Sequence, residues 1–124
     1  MIPLQLQCAS LTAMGSIEIA RRSYAAYAED DREALEALVA PDFTFSSGPD
    51  PLLDREGYFE RCWPNHGALA AFDLVRLVEI GAGEILVTYE VERTDATRFR
   101  NTEVLTIRDG QLVRAEVYFG WNLP

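Results

Sequence analysis

Hydrophobic and polar positions change period near the middle of the chain. Between residues 16 and 29, Ile19, Ser23 and Tyr27, or Ala20 and Tyr24, recur at helical spacing, with Ser16 placed to cap the N-terminus and Glu18 in the first turn. A second, shorter helix is predicted in DREALEALVA. Asp31 caps it, Leu35, Leu38 and Val39 form its apolar stripe, and Pro41 stops it. Residues 42–47, DFTFSS, put Phe43, Phe45 and Ser47 on one face, the alternation of a half-buried strand, and run into the turn-rich SGPDP. Asp54 then caps a third helix, DREGYFERCW, closed by Pro64.

After PNHGA the period falls to two. Segments 72–80, 84–93, 99–108 and 111–120 are rich in β-branched and aromatic residues, as strands are. Their connections are GAG, a polar TDAT tip and Asp109-Gly110, a hairpin signal because both positions of that turn want positive φ. Helices first and a strand meander afterwards is an α+β order: three N-terminal helices packed on a strongly bent, mixed or antiparallel sheet. No internal repeat or low-complexity tract interrupts it.

Composition narrows the classes of function. A length of 124 residues suits one domain, and 48% hydrophobic with 25% charged residues is an ordinary globular balance. No apolar run approaches the roughly 18 to 20 residues that span a bilayer, so no membrane role is expected. A net charge of −9 repels phosphate backbones, which argues against nucleic acid. Cys8 and Cys62 stand far apart without a CxxC pair, which suggests free thiols, a reducing compartment and a cytoplasmic location. Residues 1–15 read as a flexible tail with no basic start or long apolar segment, Met14 is an alternative start, and residues 16–124 form the domain. With His66 the only histidine and no cysteine cluster, no metal site is expected, and no motif calls for a cofactor. Gly81 and Gly83 form a turn between strands and no phosphate loop, while Asp42 and Asp54 have local jobs, bonding turn amides and capping a helix.

Three segments, YAAYAEDDREALEALVAPDFTF, DREGYFERCWP and RNTEVLTIRDGQLVRAEVYFGW, occur in the order and at the separations of a known superfamily. Over residues 16–121 the chain resembles the nuclear transport factor two-like fold, and within it the SnoaL-like group, which is also similar to ketosteroid isomerases. The resemblance implies a cone with an internal pocket between sheet and helices. It also implies a hydrophobic, carbonyl-type ligand and, if the protein is an enzyme, a cofactor-independent isomerase, cyclase or lyase. A non-catalytic binding or dimeric interaction module is the alternative, because one fold hosts many activities.

Alternation along the strands then indexes the implied pocket. Ser23 and Tyr27 face it from the first helix, Phe45 and Ser47 from the first strand, and Phe59 and Trp63 from the third helix. Val87, Tyr89, Asn101, Val117 and Phe119 face it from the later strands. Glu103 stands where isomerase-like relatives hold a buried acidic side chain, and desolvation there would make it an acid or base near neutrality. Two other readings stay open: a ligand-orienting contact, or a structural network in which Glu103 pairs with Arg100 or Arg98 or satisfies Asn101 and Tyr89. His66, near the expected mouth, is a second candidate acid or base. The chain departs from ketosteroid isomerases where Ser23 and Ser47 take the places of the oxyanion-binding tyrosine and the proton-shuttling aspartate. A shift of one residue would bring Tyr24 to the first of these places. On the outer face, Thr102, Val104, Thr106, Glu116 and Tyr118 suggest a homodimer through the sheet.

Overall fold

A computed structural model of the chain describes residues 15–124, apart from the side chain of His66. The expected tail up to residue 14, with Cys8 and Met14, lies outside the described residues. The elements run α1 (Ser16–Ala28), α2 (Arg32–Leu38), β1 (Val39–Ser46), β2 (Leu53–Asp54), α3 (Arg55–Arg61) and a 3-10 segment (Trp63–Ala68). Four long strands follow: β3 (Leu69–Gly81), β4 (Glu84–Arg93), β5 (Arg98–Arg108) and β6 (Gln111–Asn122).

Two of the expected helix caps are present. The Asp31 carboxylate accepts the Ala34 N–H at 3.1 Å, and that of Asp54 accepts the Gly57 N–H at 2.8 Å. Asp54→Ala should therefore cost about 1 kcal/mol, read as a lower midpoint in urea; an unchanged midpoint would show that the cap contributes nothing. The expected Ser16 cap is corrected, because Gly15 holds that position without a side-chain bond and Ser16 is already helical. Pro41 does not stop α2 either. The helix ends at Leu38, and Val39 already pairs with Leu112 of β6. The proline is tolerated inside β1 because the β1–β6 register breaks between Val39 and Thr44, where no ladder N–H is required of it. Asp42 pairs with Arg108 at 3.3 Å across the surface instead of bonding turn amides.

The six strands lie in the order β2-β1-β6-β5-β4-β3. Only the β1–β6 pair is parallel, so the sheet is mixed. Asp109 and Gly110 both take positive φ, 54° and 77°, as their turn requires. Register shifts at Leu74/Arg76, Arg100/Asn101 and Thr106/Ile107 insert extra residues, and such bulges bend the long strands. The helices cover the inner face of the sheet, where Ile19, Leu35, Val39, Phe43, Ile85 and Val87 are almost completely buried. The result is the expected α+β cone of three helices on a bent sheet.

Candidate active site in an aromatic cavity

The inner residues do not fill the space between helices and sheet. A cavity of about 530 Å³ remains, lined from α1, β1, α3 and β3 through β6, within the size range of small-molecule sites. Its lining is mostly aromatic and aliphatic, and among the described residues the charged side chains in it are Asp50, Arg93 and Glu103.

Glu103 projects inward from β5, opposite Val87 on β4 and Val117 on β6. The Tyr24 hydroxyl of α1 donates to its Oε1 at 3.1 Å, and Tyr89 of β4 also hydrogen-bonds the carboxyl. Burial pushes the Glu103 carboxyl above the usual carboxylate range, and the two phenol donors pull it back in part. The same enclosure, reinforced by the nearby carboxylate, raises both tyrosines well above their ordinary value, so they stay protonated and act as donors. Ring packing fixes these hydroxyls: Phe72 stacks on Tyr89 with centroids 5.1 Å apart and on Tyr24 at 5.6 Å.

Asn101 extends the network on the other side. Its side chain donates to Tyr89, while its Oδ1 accepts the Gly120 N–H at 3.1 Å. Gly120 lies at the bulge where β6 changes register against β5, and a Cβ there would collide with the Arg100 carbonyl oxygen. A backbone feature of β6 thus orients, through Asn101, a phenol that touches Glu103.

The structure separates the sequence candidates. Ser23, Tyr27, Phe45, Ser47, Tyr89, Asn101, Val117 and Phe119 line the cavity together with Glu103. Ser23, however, returns its hydroxyl to the Ala20 carbonyl at 2.7 Å, and it is Tyr24 that reaches the carboxyl. Phe59, Trp63 and Val87 stand behind the wall and are not among its lining. Phe59 packs between the Arg32 and Arg55 guanidiniums, 5.0 and 5.1 Å from its centroid, and Trp63 meets Tyr27 edge-on at 5.8 Å. Val87 is sealed in the core beside Ile85. In place of Phe59 and Trp63, α3 and the residue after it present Tyr58 and Cys62 to the cavity. Tyr27 donates to the Cys62 carbonyl at 3.1 Å, and burial pushes the Cys62 thiol up to about 11, which keeps it uncharged at neutral pH.

Arg100 and Arg98, the expected structural partners of Glu103, point elsewhere. Arg100 binds Glu90, with Nε 2.9 Å from its Oε2, and Arg98 lies 3.9 Å from Glu92. Both sit on the outer face, since strand alternation sends even-numbered positions of β5 away from the cavity. His66 falls in the 3-10 segment, and its side chain lies outside the described residues.

Chemically, the site offers one desolvated carboxyl held by two neutral phenols in the wall of a largely apolar cavity. Protonated, Glu103 donates a hydrogen bond to a ligand oxygen. Ionised, it accepts a proton, and Tyr24 and Tyr89 stabilise the charge.

No curated protein matches the chain in sequence. Among solved structures it is similar to a nuclear transport factor two-like protein of unknown function from Burkholderia pseudomallei, at 20% identity over 85% of this chain and 90% of that one, with a TM-score of 0.66. It is also similar to a cystatin-fold protein from Novosphingobium aromaticivorans, at 16% identity over 85% of this chain and 98% of that one, TM-score 0.70. A third similar structure is that of TerC co-crystallised with polyporic acid, at 23% identity over 85% of this chain and 91% of that one, TM-score 0.63. These likenesses establish the fold, and the SnoaL-like domain family matches residues 20–115 directly. The chain belongs to the SnoaL-like family.

Proposed function

We propose that the cavity binds a small hydrophobic molecule carrying a carbonyl or enolisable oxygen, and that Glu103 moves a proton on it in an isomerase-, cyclase- or dehydratase-type step. The observation that carries this reading is the Tyr24–Glu103–Tyr89 cluster, in which a carboxyl with a raised pKa faces an apolar space. Structural ion pairs do not account for it, because Arg98 and Arg100 are engaged with other carboxylates. Tyr24 supplies the phenol donor next to the carboxyl, a role Ser23 does not fill. The crystallisation of TerC, of the same fold, with an organic acid agrees with small-molecule binding.

The test is hydrogen–deuterium exchange at the α-carbon of 2-tetralone, an enolisable bicyclic ketone, followed by NMR in D2O. The wild-type protein accelerates exchange and Glu103→Gln does not. A second reading, binding without turnover, is favoured by Ser47, which lines the cavity where a proton-shuttling carboxylate would otherwise complete a pair. Tetralone that binds without faster exchange would support this second reading against the first.

We also propose that two copies pair through the outer sheet face, where the Thr88 and Thr102 hydroxyls meet at 3.0 Å and Tyr118 and Val78 are exposed. A symmetric dimer is expected by light scattering at micromolar concentration, and a monomeric mass would overturn it.

A further inference from the structure

The inner row of β4 changes character along its length. Ile85 and Val87 are sealed in the core, Tyr89 and Val91 are buried and line the cavity, and Arg93, the next residue with the same facing, lines it where β4 ends and is exposed. Among the described residues it is the only basic side chain in the lining. The other two charges there are engaged: Asp50 lies 2.9 Å from Arg61, and Glu103 is held by tyrosines.

In this chain acids outnumber bases, 20 to 11. Arg98, Arg100, Arg108 and Arg114 on the neighbouring strands each meet a carboxylate. Among the described residues Arg93 forms no ion pair, and the nearest acidic influence is Asp95 of the β4–β5 turn, whose carboxyl is lowered first by its bonds to Thr97 and then by the Arg93 charge. Its guanidinium lies over the Phe99 ring, 4.8 Å from the centroid, which orients the plane and leaves its N–H groups for a ligand. The same charge opposes the rise that burial imposes on the Tyr27 phenol, so its field reaches into the cavity.

We propose that Arg93 is a carboxylate-recognising subsite at the rim, so that the ligand is a flat, apolar molecule with a carbonyl or hydroxyl oxygen for Glu103 at one end and a carboxylate for Arg93 at the other. The inference rests on the reading of the cavity as a small-molecule site. Tyr89 and Arg93 are four residues apart, about 13 Å along an extended strand, a span that two linked aromatic rings with their end groups can bridge. Binding there suits arginine, whose planar fork grips both oxygens of a carboxylate. Exposure at the rim keeps the desolvation of both charges small.

The experiment titrates 4′-hydroxybiphenyl-4-carboxylate and its uncharged methyl ester into the full chain and its variants at low salt by calorimetry. Arg93→Met is expected to weaken the acid about tenfold, a loss of about 1.4 kcal/mol, while the ester stays within about twofold. Arg93→Lys should restore part of the preference, and high salt should shrink it. Loss of affinity for both probes alike, or for neither, overturns the subsite while leaving the cavity in place. If neither probe binds the wild type, or if the ester binds with no response to Tyr24→Phe and Glu103→Gln, the cavity reading itself fails and the subsite with it.

Discussion

Gly120→Ala is expected to destabilise the protein by on the order of 3 kcal/mol and to weaken ligand binding as well. The sign runs against the usual rule, since replacing glycine by alanine in a strand ordinarily stabilises by roughly 0.5–1 kcal/mol. Here the added Cβ meets the Arg100 carbonyl oxygen, a backbone atom that moves only if β5 moves. The bulge at Arg100/Asn101 would have to open, and overpacking of this kind costs about 1–3 kcal/mol before lost hydrogen bonds are counted. One of those bonds is Gly120 N–H to Asn101 Oδ1, so the change also frees the side chain that orients Tyr89. Thermal unfolding and a probe titration on the same variant check both parts. A melting temperature equal to or above that of the wild type would show that the bulge does not make the close approach.

Glu103→Gln separates activity from stability. In exchange of an enolisable ketone, removing the acid–base group should cost about 10²–10⁴-fold, the usual worth of positioned proton transfer. Stability should move the other way at neutral pH. The carboxyl titrates higher in the folded chain than in the unfolded one, where its value is near 4.5, because burial disfavours its charged form. Its contribution to stability is therefore complete below pH 4.5 and is lost as the pH rises through the raised folded value. Glutamine still accepts a phenol hydrogen bond and carries no charge. The variant should match the wild type in acid and melt at a higher temperature from neutrality to about pH 8, each 1 kcal/mol appearing as roughly 4 °C in a domain of this size. A constant gap at every pH would show that the carboxyl is not desolvated.

Much of this fold was legible in the chain. The strand 84–93 has the bounds of β4, Asp31 and Asp54 are caps, and Asp109-Gly110 is the hairpin its residue types demand. These features depend on neighbours in sequence, where period and turn chemistry decide. The helical faces were less legible. On α1 Ser23 lines the cavity as expected, yet it is its neighbour Tyr24 that reaches Glu103. On and just after α3, Tyr58 and Cys62 face the cavity in place of Phe59 and Trp63, a phase error of one residue. Adjacent helical positions lie about 100° apart, and where both are apolar or aromatic the pattern alone cannot rank them. Ser23 and Tyr24 are both buried, and what distinguishes them is that one satisfies itself within the helix while the other is long enough to reach β5.

The sequence by itself therefore determined the order of the three helices and of five strands, though not β2 or the 3-10 segment. It also determined the strand faces and the inward position of Glu103, because alternation at period two admits only two answers and burial selects one. Only the tertiary structure decided what surrounds that carboxyl. Tyr24, Tyr89 and the Asn101–Gly120 link come from four separate elements, α1, β4, β5 and β6, and their meeting depends on helix rotation and on a bulge that shifts register by one residue. Such contacts are long-range, and nothing in the local period of a chain encodes the angle at which a helix settles on a bent sheet.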